Sequence, residues 1–193
     1  MLLIENIHNF DSKFYNSITL PTNLETKYSR LLTQSSQKIF KMSYFLKMKL
    51  CEHLSLEDKN IYYGENGKPY FKKSNKKIEF SISHHDIFVV LYYNKNNQVG
   101  IDILNSNKVK LSSLFCPYFS IEEKKYVINK ETFCKIWTLK EAYAKLIGTG
   151  LHEDISEINL LPYIDKLYGT IKITILDTKY FTLCICENFQ IYI

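Results

Sequence analysis

The chain has 193 residues, 46% of them apolar or aromatic, with 25 Lys and Arg against 20 Asp and Glu. That length builds one sizeable core or two smaller ones sharing a seam, and the fifteen Tyr and twelve Phe exclude a disordered chain. The net charge of +5 suits acidic or phosphate-bearing partners, but Arg30 is the sole Arg, which disfavours a nucleic-acid reader built on guanidinium contacts.

In chain order, Leu2 to Ile7 reads as a strand and Asp11 to Pro21 as strand-like or loop. Leu24, Tyr28, Leu31 and Leu32 fall at helical spacing, and Ser35 or Ser36 is placed to cap a second helix with Ile39, Met42, Leu46 and Leu50 on one side. Its lysines, Lys38, Lys41, Lys47 and Lys49, read as a solvated face. Short strands follow. Ile61 to Tyr63 meets a turn at Gly64 to Gly67, then Lys68-Pro69-Tyr70-Phe71. Ile78, Phe80 and Ile82 alternate with Glu79, Ser81 and Ser83, the period of a half-buried strand running into His84 and His85. Phe88 to Tyr93 is a continuous apolar run, and Asn94 to Asn97 turns the chain into Val99-Gly100-Ile101-Asp102-Ile103. There Asp102 faces opposite Val99, Ile101 and Ile103.

In the second half, Ser120 and Glu123 form a capping box opening a short helix through Ile128. A longer helix starts near Glu131 or Thr132 and stops at Gly148, which supplies a left-handed cap. At about 100° per residue its apolar arc comprises Phe133, Ile136, Trp137, Tyr143, Ala144 and Ile147, with Trp137 as core anchor and Glu141 and Lys145 along one rim. Strands at Thr170 to Leu176 and Tyr180 to Cys186, with a last piece ending at Ile193, close the chain. We expect two α+β halves, residues 1–97 and 98–193.

The five cysteines, Cys51, Cys116, Cys134, Cys184 and Cys186, are odd in number and lack a CxxC pair, so reduced thiols are expected rather than disulfides or zinc. No run approaches the 18 or so apolar residues of a membrane span, and Met1 to Phe10 lacks a basic opening. A cytoplasmic protein is the expectation.

Taken singly, the polar features have ordinary explanations. Asp102 suits a strand-end turn, His84 a core histidine, Lys68 a turn before Pro69, and Glu141 a surface ion pair with Lys145 worth about 0.3–0.5 kcal/mol. Together they supply two carboxylates, a histidine and several cations. The motifs are Gly67-Lys68-Pro69-Tyr70-Phe71, Phe80-Ser81-Ile82-Ser83-His84, Val99-Gly100-Ile101-Asp102-Ile103, Tyr118-Phe119-Ser120 with Glu123, and Trp137-Thr138-Leu139-Lys140-Glu141-Ala142 with Lys145 and Gly148 to Leu151. In this order and spacing the sequence resembles the 4′-phosphopantetheinyl transferase superfamily, in its longer, monomeric, surfactin-synthetase-activating (Sfp-like) type.

The resemblance implies two similar α+β subdomains forming an intramolecular pseudodimer with coenzyme A between them. It implies Mg-dependent transfer of the 4′-phosphopantetheine arm to a serine of an apo acyl, peptidyl or aryl carrier protein, releasing adenosine 3′,5′-bisphosphate. Carried over residue by residue, Asp102 and Glu141 become magnesium ligands, and Ser83 and His84 contact the coenzyme A phosphates. Lys68 follows as a phosphate or adenine-side contact, Lys145 as a group at the pyrophosphate or reacting hydroxyl, and Lys38 and Arg30 as 3′-phosphate partners. The base that deprotonates the carrier serine is Glu141, a metal-bound water or Lys145. Our expectation is Glu141, acting also as ligand. Many relatives carry a second acid two residues beyond the strand aspartate; here that position is Leu104. Exposed apolar residues within Lys110 to Tyr118, namely Leu114, Phe115 and Tyr118, are candidates for the carrier-docking surface. With one Arg, no nucleic-acid-binding motif and no long apolar run, no nucleic-acid or membrane partner is expected. The competing readings are a silent module that binds coenzyme A or a carrier, supported by Leu104, and a basic nucleic-acid-binding domain, supported by net charge alone.

Overall fold

The computed structural model describes residues 1–64, 66–74, 76–110, 117–151 and 153–189. β1 (Leu2–Asn6) is followed by three helices, α1 (Ser12–Ser17), α2 (Thr22–Ser29) and α3 (Gln34–His53). β2 (Tyr62–Tyr63), β3 (Pro69–Lys73) and β4 (Lys76–Glu79) make a small antiparallel sheet in that order. β5 (Ser81–His85) and β6 (Phe88–Tyr92) form a hairpin that joins β1 in the order β1-β6-β5. The second half runs β7 (Gln98–Leu104), α4 (Ile121–Tyr126), α5 (Lys130–Ile147), β8 (Leu167–Tyr168), β9 (Ile171–Asp177) and β10 (Thr182–Asn188), with sheet order β7-β10-β9-β8.

The architecture is α+β, as expected. The two larger sheets share a plan: the first strand of each half pairs with the last strand of its hairpin, and a long helix lies in the connection. Met42, Leu46 and Leu50 of α3 pack with Phe71 and Phe80 in one core, whereas α5 packs on β7 and β10 in another. A third apolar cluster, Val90, Ile101, Ile103 and Leu183, joins strands of both halves. At its border the Tyr92 hydroxyl and the Asn94 amide both donate to Glu187 Oε1, at 2.8 and 2.7 Å.

Local chemistry sets α5. The Asn129 side chain accepts from Thr132 N at 2.9 Å, Thr132 Oγ1 accepts from Asn129 N at 3.2 Å, and Gly148 closes the helix at φ 78°. The buried surface of this helix is wider than a single arc because it packs on a sheet and also on the segment around Ile155 and Leu160. Two expectations are corrected as a result. Ile147 is exposed, and Trp137 is only partly buried, stacked on Phe133 at 5.8 Å rather than sealed in the core.

Three further expectations change. Asp11 to Pro21 contains α1, nucleated when Asp11 Oδ1 accepts from Phe14 N at 2.8 Å and anchored by the buried Tyr15, whose hydroxyl donates to Ile7 O at 2.7 Å. Leu32 follows α2 almost fully exposed rather than on its apolar face. The strand expected through Ile78 to His85 breaks at Phe80 into β4 and β5, which belong to different sheets. Ser81 and Ser83 are consequently buried and Ile82 is not, because both serines bond to β7: Ser81 Oγ accepts from Ile101 N at 3.0 Å, and Ser83 Oγ donates to Asp102 Oδ1 at 2.6 Å. The end of the last piece expected to finish at Ile193 lies outside the described residues, as do Leu114, Phe115 and Cys116.

β7 passes close against α5 at Gly100, where an added Cβ would stand 1.9 Å from Ala142 O and 2.6 Å from Leu146 N. Both are helix backbone atoms and cannot swing aside. Gly100→Ala is therefore expected to push α5 off the sheet, destabilise the protein by at least about 1–3 kcal/mol and lower its melting temperature. An unchanged thermal midpoint would show that this close approach is not needed.

Candidate functional site

A cleft of about 700 Å³ opens between α2 and α3 on one side and β5, β7 and α5 on the other. Of the residues marked from sequence, Ser83, His84, Asp102, Glu141 and Lys145 all line it. A smaller adjoining space of about 310 Å³ is lined by Lys68 with Gly67, Pro69 and Gly148, and shares Lys47, Tyr63, Ile82 and Lys145 with the first. Lys68 donates to Leu146 O at 3.1 Å and lies 3.1 Å from the Glu79 carboxylate, so it ties the small sheet to the end of α5.

The centre of the cleft is a tight polar cluster. Asp102 Oδ1 accepts from Ser83 Oγ and from Lys145 Nζ, both at 2.6 Å, and Lys145 Nζ also lies 2.9 Å from Ser83 Oγ. Glu141 Oε2 stands 4.0 Å from the same ammonium. Lys145 thus bridges two carboxylates contributed by a strand and a helix. Burial first, then the neighbouring Asp102, push the Glu141 carboxyl above its usual range, with Lys145 pulling it back. His84 is held below its usual value by desolvation, then by Lys145, with Asp102 opposing. Beside it, His85 Nδ1 accepts from Asn105 N at 3.0 Å.

The structure does not bring Arg30 or Lys38 to this cleft. Arg30 is exposed at the end of α2, and Lys38 lies on another face of α3, its ammonium 5.4 Å from the Tyr15 ring centroid. The cations that do line the cleft from this side are Lys27 and Lys47. The sequence carries a signal for Lys47: it continues the helical stripe Phe40, Ser43, Tyr44, all of which line the cleft. Burial, and secondarily Lys27, pull Lys47 from its usual 10.5 to about 8. Its folded value lies below its unfolded one, so the unfolded chain binds more protons across that window and stability rises with pH through it. Wild type should gain thermal stability between about pH 8 and 10.5 relative to Lys47→Met; parallel profiles would contradict the assignment.

One buried polar device sets the attitude of α5. Lys140 and Glu123 have no solvent exposure and pair at 2.8 Å. Glu123 also accepts from Ser120 N at 2.8 Å in the expected capping box and from Leu160 N at 2.9 Å. Lys140 donates to Ile155 O at 2.8 Å and to Ile158 O. With Lys140 pinned inward, its neighbour Glu141 is turned toward the cleft. Tyr118 packs in a T-shaped pair with Trp137, itself a wall of the cleft, their ring centroids 6.5 Å apart.

Among the described residues no group of three or more His, Cys, Asp or Glu side chains is arranged to hold a metal. Asp102 and Glu141, the two carboxylates about the Lys145 ammonium, are the donors an ion here would use. That donor set fits magnesium, which is commonly held by one or two carboxylates with substrate phosphates and water completing its shell. The ammonium lodged between the two carboxylates shows that the position favours positive charge.

Residues 98–190, which hold Asp102, Glu141 and Lys145, match the family model of the 4′-phosphopantetheinyl transferase superfamily. Over this segment the chain is similar to the 4′-phosphopantetheinyl transferase superfamily. It is 32% identical over 124 residues to the 4′-phosphopantetheinyl transferase gsp of Aneurinibacillus migulanus, covering 61% of this chain and 49% of that protein. It is 31% identical over 119 residues to the L-aminoadipate-semialdehyde dehydrogenase-phosphopantetheinyl transferase of Saccharomyces cerevisiae, covering 55% and 43%. The protein of the same name from Homo sapiens is 31% identical over 120 residues, covering 49% and 38%. The chain spans about half, or less, of the length of the curated relatives it matches. Within the matched segment, the strand carrying Asp102 and the helix carrying Glu141 and Lys145 form one wall of the cleft.

Proposed function

We propose that the protein transfers the 4′-phosphopantetheine group of coenzyme A to a serine hydroxyl of an apo acyl, peptidyl or aryl carrier protein, with magnesium, releasing adenosine 3′,5′-bisphosphate. The observation that carries this reading is the convergence of Asp102, Glu141 and Lys145 in one cleft, within the segment similar to the superfamily. The repeated sheet order of the two halves supports the pseudodimer arrangement, with the cleft between the halves as the coenzyme A site.

Asp102 and Glu141 would hold the metal, which when bound neutralises charge on the pyrophosphate and the departing bisphosphate. Lys145, released from Asp102 as negative phosphate enters, donates to the pyrophosphate. Lys27 and Lys47 line the same cavity and balance the remaining phosphate charge, and His84 beside them offers a hydrogen bond. Phosphoryl transfer depends mainly on positioning and electrostatics, and the nucleophile belongs to the carrier, so the cleft needs no activated nucleophile of its own. The raised affinity of Glu141 for a proton suits it to accept one from the carrier serine.

The chemistry requires one adenosine 3′,5′-bisphosphate released per carrier modified. Product released with a wild-type carrier and not with its serine-to-alanine variant supports transfer. Equal release with both, or none, contradicts it.

Leu104 favours the second reading, a module that binds without transfer, because it leaves two carboxylates at the metal position. It is buried at the end of β7 and lines the cleft two residues beyond Asp102. We expect Leu104→Glu to bind magnesium more tightly than wild type, read calorimetrically and as metal-dependent recovery of thermal stability. Equal magnesium dependence of the two proteins would refute this.

A further inference from the structure

The charge of the chain is unevenly placed. Residues 1–97 carry 14 Lys and Arg against 9 Asp and Glu, whereas residues 98–193 carry 11 of each. Within the first half the densest group is the β3–β4 hairpin. Its strands pair Lys72 with Lys77 and Lys73 with Lys76, two like-charged cross-strand pairs in succession. Such pairs destabilise a hairpin. Lys73 donates to Leu54 O at 2.8 Å and ties the hairpin to the end of α3, whereas Lys72 and Lys77 stand exposed on the outer face.

Their setting is specific. Tyr62, Tyr70, Lys72 and Lys77 share one face of the small sheet by register, opposite the face that buries Phe71. Tyr62 and Tyr70 stack at 5.6 Å, Lys72 Nζ lies 4.0 Å from the Tyr62 ring centroid, and Lys77 Nζ lies 5.0 Å from that of Tyr70. Exposed lysines normally wander. These two are held over aromatic rings, so less side-chain freedom is lost when a partner fixes them. Among the described residues two nearby acids are already engaged: Asp58 accepts from the Tyr62 hydroxyl at 2.9 Å, and Glu79 lies against Lys68 at 3.1 Å. The same face leads through Lys68 to the edge of the cleft.

We propose that this Lys/Tyr face is a docking surface for a carboxylate-rich protein surface. The identity of that partner as the carrier rests on the transfer reading above; the docking chemistry does not. A protein partner is favoured over single-stranded nucleic acid because ammonium groups already cover the ring faces on which bases would stack.

The test compares wild type with Lys72→Glu/Lys77→Glu, using a labelled acidic apo carrier protein and a single-stranded oligonucleotide of similar charge. The double variant should bind the carrier about tenfold more weakly at low salt, and the difference should vanish near 1 M salt, where screening acts within about 3 Å. The turnover number at saturating carrier and KM for coenzyme A should not change. Lys77→Glu alone replaces a repulsive cross-strand pair with an attractive one, so it should melt higher while docking more weakly, a combination that damage to the fold cannot produce. Unaltered carrier affinity in the double variant, or tighter binding of the oligonucleotide than of the carrier, overturns the proposal. Loss of docking in a protein that transfers nothing would keep the surface and reject the transfer reading.

Discussion

Glu141→Gln is expected to reduce transfer on the order of 10³-fold while leaving the fold intact. The substitution removes one of the two carboxylates that face the bridging ammonium, together with the group placed to take the serine proton. It also removes a carboxyl whose ionised form is opposed by burial and by Asp102. The metal-free variant should therefore melt at or above the wild-type temperature, so lost transfer cannot be ascribed to unfolding. Near-normal turnover at saturating magnesium would show that Glu141 is neither ligand nor base.

The largest stability effect is expected at Lys140. Lys140→Met leaves the Glu123 carboxylate fully buried without its cation, and breaking such a pair costs about 3–5 kcal/mol. For a chain of this length that corresponds to a fall in melting temperature on the order of 10 °C. Ser120 N and Leu160 N still donate to Glu123, so the carboxylate keeps two partners and the fold should survive at low temperature. Surviving protein should also transfer more slowly at saturating substrates, because α5 loses the contact that turns Glu141 toward the cleft. A shift of less than 1 kcal/mol would mean that the pair is dispensable.

The sequence was most legible where the signal is local. The capping box at Ser120 and Glu123 and the glycine stop at Gly148 lie within a turn of the residues they act on, and the structure has both. Asp102, Glu141 and Lys145 became a site only as a set spread over two elements, and the fold brings them together. Partners separated along the chain left no trace. Nothing near Lys140 announces that its cation is met by Glu123, 17 residues away in sequence, or by the carbonyls of Ile155 and Ile158.

Alternation also misled at β5. The serines of Ser81-Ile82-Ser83 read as an outward face, but this strand packs beside β7, and their hydroxyls serve Ile101 N and Asp102. On α3 the apolar stripe was readable, but a stripe does not reveal which of the flanking polar faces borders a cavity. Lys47 therefore looked like a solvated lysine, and Lys38, on another face, was the one assigned to phosphate. Helix α1 was missed because six residues hold too little periodicity to register, and its capping aspartate also suits a loop.

The central claim is tested most directly by weighing an apo carrier protein before and after incubation with this protein, coenzyme A and magnesium. The account predicts a gain of one phosphopantetheine group on the carrier, absent when the metal is chelated and absent with Glu141→Gln. A carrier that binds and keeps its mass, across acyl, peptidyl and aryl types, would contradict it.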